Sequence, residues 1–231
     1  MVSRDEYLKG MVLTSWSFRE NDRMLWFYSQ EKGKVLLFVK SGKKINSKLA
    51  PMISEPFALL NLKVVKGKAY FHLIGGEILE VFENIEKDYK RLLRLNETFE
   101  KITNILPRHE KNKKILSLIK SFLKAVDQKY DINLFNSFIL KVLSFSGFMP
   151  QLNYCLVCNK NLEKGYFDIK KGGLVCKEHK SDKSFKISVK SLNLMKNLLL
   201  KDFQFLISKE FDKNASFRVS QIIERFYNWQ I

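Results

Sequence analysis

The chain has 231 residues, and its 41 Lys and Arg against 24 Asp and Glu give a net charge of +17 at neutral pH. A hydrophobic content of 45% with 19 Phe supplies a core and excludes intrinsic disorder. Charged residues break every apolar run before the roughly 18–20 residues of a membrane span, and residues 1–10 hold Arg4, Asp5, Glu6 and Lys9 in place of an apolar signal segment. A cytosolic location is therefore expected. The positive excess is spread along the chain: +5 over residues 1–80, +5 over 81–150 and +7 over 151–231. A basic surface that runs through folded segments suits a polyanion, because each Lys or Arg set against a phosphate releases condensed counterions. Plain solubility explains the same number.

The first 80 residues read as strands. The runs 7–16, 23–29, 34–41, 57–66 and 69–80 are rich in Val, Leu, Phe, Tyr and Trp, and Gly33, Gly42 and Lys66-Gly67-Lys68 separate them. Five short strands in that length predict a small closed barrel, of OB or SH3-like topology. Between Lys32 and Ser54 there are six lysines, at 32, 34, 40, 43, 44 and 48, and no acidic residue. Gly33, Ser41, Gly42 and Ser47 among them allow backbone to approach phosphate, although a solvated mobile loop has the same composition. Trp16, Phe18, Trp26, Phe27 and Tyr28 offer rings, most of them expected in the core and one or two on the outer face for base stacking.

From Phe82 the apolar period lengthens to that of helices. Ile85, Tyr89, Leu92, Phe99, Ile102 and Leu106 share a face that ends at Pro107. A second face carries Ile115, Leu118, Ile119, Phe122 and Val126, and a third runs from Leu134 to Leu143 with Gly147 as C-cap. Ser188 is placed to cap a helix through Leu192, Met195 and Leu199, and a last helix carries Phe217, Ile222, Phe226 and Trp229. The fold class expected is α+β and multidomain: a barrel at 1–80, a helical bundle at 81–150, a metal module at 151–182, and helices at 183–231 that complete the helical domain.

The strongest chemical signal is Cys155-x-x-Cys158, then 17 residues, then Cys176-x-x-His179. Each two-residue spacer lets a tight turn aim both side chains at one ion, and Zn²⁺ takes three thiolates and one imidazole tetrahedrally. Four protein ligands leave no open position, so a structural zinc is expected. The alternatives are reduced structural cysteines with a solvated His179, or a redox Cys155/Cys158 pair. Phosphate-loop, zinc-protease and nucleophile-elbow motifs are absent from the sequence, and His72 and His109 have no catalytic company in it.

Taken in order, Glu20-Asn-Asp-Arg23, Glu31-Lys-Gly-Lys34, Lys40-Ser-Gly-Lys-Lys44 and Ser47-Lys-Leu49, with Pro51 and Pro56 before a strand pair, resemble the N-terminal domain of the bacterial RecO family of DNA repair proteins. Gly147-Phe-Met-Pro150, Cys155-x-x-Cys158 and Gly172-Gly-Leu-Val-Cys176 resemble its helical domain and zinc module, with His179 where many members have Cys. The resemblance implies an OB-fold, a helical domain and a zinc-binding insertion. It also implies binding of single- and double-stranded DNA, annealing of complementary strands, and work with RecR, often RecF, to help RecA replace single-strand-binding protein. On that reading Arg23, Lys34, Lys40, Lys43, Lys44 and Lys48 are the DNA-contact candidates, no residue is catalytic, and the protein is cytoplasmic and nucleoid-associated. The competing classes are a zinc-containing nuclease or nucleic-acid-modifying enzyme, and a basic scaffold for acidic protein partners.

Overall fold

A computed structural model describes residues 5–44, 46–49, 52–53 and 57–231. Ser54, Pro51 and Pro56, which take part in the lysine loop and the family pattern, lie outside them. The chain divides into two compact units, Met1–Gln128 and Lys129–Ile231.

In the first unit the strands β1 (Asp5–Phe18), β2 (Asp22–Ser29), β3 (Gly33–Val39), β4 (Leu59–Lys66) and β5 (Phe71–Glu80) close into a barrel in the order β1-β2-β3-β5-β4. Closure depends on β1, which pairs antiparallel with β4 through residues 5–11 and with β2 through residues 10–18. At the crossover stands Gly10, where a Cβ would lie 1.9 Å from the Tyr28 carbonyl oxygen. Only glycine lets the two backbones meet there. Parallel pairing of β3 with β5 completes an order that fits the OB barrel. The strict period of two sends Leu25, Phe27, Val35, Leu37, Val39, Leu60, Leu62 and Val64 inward, all fully buried.

Two helices share this unit, α1 (Tyr89–Ile105) and α2 (Lys113–Gln128). Asp88 caps α1 by accepting from the amides of Lys90 and Arg91, and Asn112 accepts from Lys114 N at 3.0 Å at the start of α2. They are tied to the barrel by Phe57 against Phe99 (centroids 4.9 Å apart), by Tyr28 Oη donating to the Asn112 carbonyl at 3.2 Å, and by Glu80 bridging Lys120 and Lys124 at 2.6 and 3.2 Å. The compact unit thus includes both helices and runs to Gln128.

The second unit is built around α3 (Ile132–Phe145), buried continuously from Asn133 to Leu143. Around it stand α4 (Val189–Leu200), α5 (Phe203–Ile207) and α6 (Lys213–Gln230). Asp131, Ser188, Asp202 and Asp212 each cap the helix that follows. Past α3, Gly147 takes φ +94° and Phe148 N reaches back to the Leu143 carbonyl at 2.9 Å, the expected glycine stop. Between α3 and α4 lies a small antiparallel sheet of β6 (Gly165–Asp168), β7 (Gly173–Val175) and β8 (Ser184–Ile187), ordered β7-β6-β8. Its last strand, β8, ends at Ile187, directly before the Ser188 cap of α4. Phe167 meets Phe226 edge-on at 5.6 Å and fastens the sheet to α6.

Candidate nucleic-acid interface and metal centre

The cysteine cluster is assembled from two turns. Asn159 N donates to the Cys155 carbonyl at 2.9 Å, Cys155 N donates to the Lys160 carbonyl at 2.8 Å, and Asn159 closes the knuckle in the left-handed region at φ +58°. On the other side His179 N reaches the Cys176 carbonyl at 3.2 Å in a single 3-10 turn. The four donor atoms, Sγ of Cys155, Cys158 and Cys176 and Nδ1 of His179, lie within 4.8 Å of one another. Their separations are 3.8 Å (Cys155–Cys176), 4.0 Å (Cys158–Cys176), 3.6 Å (Cys155–His179) and 3.1 Å (Cys176–His179). A tetrahedral centre with metal–sulfur bonds of about 2.3 Å has S···S edges of about 3.8 Å. The donor set therefore fits one tetrahedral metal ion.

The surroundings prepare Cys155 as a thiolate. Burial acts upward on its thiol, but the amides of Cys158, Cys176 and Val157 donate to the sulfur and hold it at about 6. Cys176 is pushed up to about 11, because its thiol donates to the Glu178 carboxylate and is shielded from water. In the module behind them, Asp168 is fully buried. Burial opposes its charge, yet hydrogen bonds from Ser181 Oγ, Lys171 N and Ser184 Oγ (2.5, 2.9 and 2.7 Å) outweigh that and lower its pKa. This carboxylate clamp, which joins β6 to β8, had no signal in the ligand spacing.

The lysine loop is stitched to the β1–β2 turn. Ser41 N donates to Asp22 Oδ1 at 2.8 Å and Lys43 N to the Asn21 carbonyl at 3.0 Å, while Gly42 packs so closely on Val39 and Ile53 that a Cβ would stand 3.1 Å from each. Lys40, Lys43, Lys44 and Lys48 are all exposed, and Arg23, half-buried, lies opposite Val39 with its guanidinium on Ser15 Oγ at 2.8 Å. The same end of the barrel presents Arg19, exposed at φ +53° with its guanidinium 5.3 Å from the Phe18 ring centre. Arg19 was missed in the sequence because it stands alone between Phe18 and Glu20.

Lys34, also expected to contact DNA, is placed differently from the lysines of the loop. It is 7% exposed, its ammonium donates to the Thr103 carbonyl at 2.5 Å, and it stands 5.2 Å from the Trp26 ring centre. Burial, with Arg108 nearby, lowers its pKa. Lys34 caps the carbonyl end of α1 and is not a surface cation, a correction that strand period alone could not supply. The aromatic expectation resolves in the same way. Phe27 and Tyr28 are buried, the Trp26 ring is met by the Lys34 ammonium and, at 4.5 Å from its centre, the Arg108 guanidinium, and Trp16 remains 40% exposed. A ring cluster that the sequence reading missed lies across β3 and β5, where Phe38, Tyr70 and His72 are 5.1–5.5 Å apart.

Comparison with known proteins agrees with this arrangement. A family model described as Recombination protein O N terminal matches residues 4–82, and one described as Recombination protein O C terminal matches residues 87–231. The chain belongs to the RecO family. It is 30% identical over 218 residues to the DNA repair protein RecO of a Thermoanaerobacter species, an alignment covering 94% of this chain and 85% of that protein. It is 28% identical over 219 residues to the protein of the same name from Caldanaerobacter subterraneus, again 94% and 85%. The RecO protein of Clostridium acetobutylicum is 27% identical over 217 residues, 91% of this chain and 87% of the relative. The two family segments meet between residues 82 and 87, inside the first compact unit.

Proposed function

We propose that this RecO-family chain is a DNA-binding mediator of recombinational repair that holds single and double strands through its barrel and anneals complementary strands without enzymatic chemistry. The observation that carries the reading is the joining of the lysine loop to the β1–β2 turn, which gathers Arg19, Arg23, Lys40, Lys43, Lys44 and Lys48 at one end of an OB-type barrel. Cations on backbone loops grip phosphates without reading bases, so strands held there stay free to pair. Their charge also offsets the repulsion between two incoming strands. RecR, RecF, RecA and single-strand-binding protein are the partners that family membership suggests, in the cytoplasm at the nucleoid.

Cys155, Cys158, Cys176 and His179 are the residues that would hold zinc, and the role of that ion is structural. With four protein donors the centre offers no position to a reacting water. Zinc binding would fasten the knuckle to β7 and the turn that follows it. The membership of the family and the closed donor set favour a mediator over a zinc nuclease. The test is incubation of purified protein with labelled complementary strands, with and without Mg²⁺. Annealed duplex of full-length strands is expected in both. Shortened strands that need metal would overturn the reading in favour of a nuclease, and no binding to either strand form would favour a protein scaffold.

A further inference from the structure

Below the ring cluster, the outer face of β3 and the β4–β5 hairpin enclose a cavity of about 560 Å³ with a different chemistry from the lysine loop. Leu36, Tyr70 and Phe71 supply its apolar lining. Lys66 and Lys68 from the hairpin and Lys111 from the α1–α2 connection approach it as exposed cations with no acidic partner among the described residues. Glu31 and Lys32 also line it, but both are engaged: Glu31 accepts from Lys9 N at 3.0 Å, and Lys32 pairs with Glu6 at 2.7 Å.

The walls are fixed before any ligand arrives. At Gly33 (φ +68°) a Cβ would lie 2.1 Å from the Glu110 carbonyl oxygen, so strand and connection are in close backbone contact. His109 is held at φ +59° with its amide on the Lys34 carbonyl at 3.0 Å, and Asn112 N donates to Tyr28 Oη at 3.1 Å. At the opposite wall Gly67 allows the tight hairpin, where a Cβ would meet the Tyr70 carbonyl oxygen at 2.7 Å. Tyr70 itself is braced by His72 at 5.1 Å and Phe38 at 5.5 Å. A half-exposed ring with fixed neighbours loses little freedom when a flat partner stacks on it.

The geometry points to a subsite for one unpaired nucleotide: the base enters the cavity against Tyr70 and the flanking phosphates are met by Lys66, Lys68 and Lys111. The cavity lies within the ordinary range of roughly 300–1,000 Å³ for a small-ligand pocket. A paired base cannot enter without leaving its stack, so the cavity selects single strands, whereas the loop around Lys43 and Lys44 accepts either form. This inference rests on the reading of the barrel as a DNA platform and adds to it a strand-form preference and a place for it.

The test compares Tyr70→Ala, Tyr70→Phe and Lys66→Glu/Lys68→Glu with the wild type by fluorescence anisotropy on oligo(dT) and on a duplex of the same length. Thermal melting verifies each fold. Tyr70→Ala is expected to weaken oligo(dT) binding about tenfold or more, the effect of one lost base–aromatic stack, and to leave duplex binding unchanged, while Tyr70→Phe retains wild-type affinity. The double charge reversal is expected to weaken oligo(dT) more than duplex. As a second readout, an iodouracil-bearing strand irradiated on the wild-type protein is expected to cross-link within residues 66–72. Wild-type affinity in every variant with a cross-link elsewhere would overturn the subsite and leave the DNA-binding reading intact. Equal losses on both strand forms would overturn its selectivity. Absence of any DNA binding by the wild type would overturn both.

Discussion

Replacing Lys141 with methionine probes a buried charge at the centre of the second unit. Lys141 is 9% exposed on α3, donates to the Lys201 carbonyl at the end of α4, and stands 4.5 Å from the Phe203 ring centre. Burial lowers its pKa from the ordinary 10.5 to about 8, against a smaller upward pull from Asp202. A difference of that size corresponds to about 3 kcal/mol of disfavour toward the charged form in the folded state. The folded-state value is the lower one, so the penalty is present in full below pH 8. Between about pH 8 and 10.5 the unfolded chain still binds the proton that the folded chain has shed, and stability rises with pH. Methionine keeps the length of the side chain and removes the proton, but leaves the Lys201 carbonyl without this donor, a loss of about 1–3 kcal/mol. Near pH 7 the two effects largely offset each other. Urea titrations of wild type and Lys141→Met across pH 7–10 should therefore show the wild type gaining on the variant by up to about 3 kcal/mol as pH rises. Taking the difference cancels titrations common to both, among them that of Tyr28, whose pKa is raised by burial. A difference that stays flat across this range would refute the account of Lys141 as a charge held in an apolar setting.

Other expectations test the remaining parts. Lys43→Glu/Lys44→Glu should weaken binding of unrelated DNA sequences alike, and the slope of log affinity against log salt should become shallower by about 1.5 if two phosphate contacts are lost; anisotropy titrations at several salt concentrations measure it. Lys34→Ala should destabilise the first unit by about 1–2 kcal/mol in chemical denaturation through loss of the α1 cap, with DNA affinity unchanged per folded molecule. Purified protein should contain about one equivalent of zinc by elemental analysis. Zinc affinity should rise at least about tenfold per pH unit above neutrality, since the metal must displace the Cys176 proton, and competition with a chromogenic chelator reads this. Asp168→Ala should loosen β8 from β6, visible as faster amide exchange at 184–187. In the wild type the Asp168 contribution is present above the ordinary carboxylate value of 3.8 and is lost as pH falls through its lowered folded value.

The barrel was legible because its strands obey a local rule. Alternation in runs such as Val35-x-Leu37-x-Val39, ended by glycine or charge, located all five strands to within a few residues. The clustering of Cys155, Cys158, Cys176 and His179 was legible for a similar reason, since the two-residue spacer is itself the geometry of the turn. Lys34 was not, because its alternation places it on the outer face and only α1, some 69 residues later in the chain, converts that face into an interior. The Tyr70 cavity was hidden likewise, being formed by β3, a hairpin and a connection that have no common sequence signature. The short α5 and the three-stranded sheet were too brief for periodicity to register.

The association of α1 and α2 with the barrel bears on how the protein should be divided for experiment. The matched family segments suggest a cut near residue 82, but a fragment ended there would strip the cover from Trp26 and Tyr28 and leave the Lys34 ammonium facing an empty groove. A fragment ended at Gln128 keeps those contacts, and the Tyr70 cavity keeps its Lys111 wall. The smallest piece suited to carry the barrel with its helical cover, and with it the proposed DNA platform, is thus half as long again as the matched N-terminal family segment, so domain swaps within the family should exchange residues 1–128 as one block.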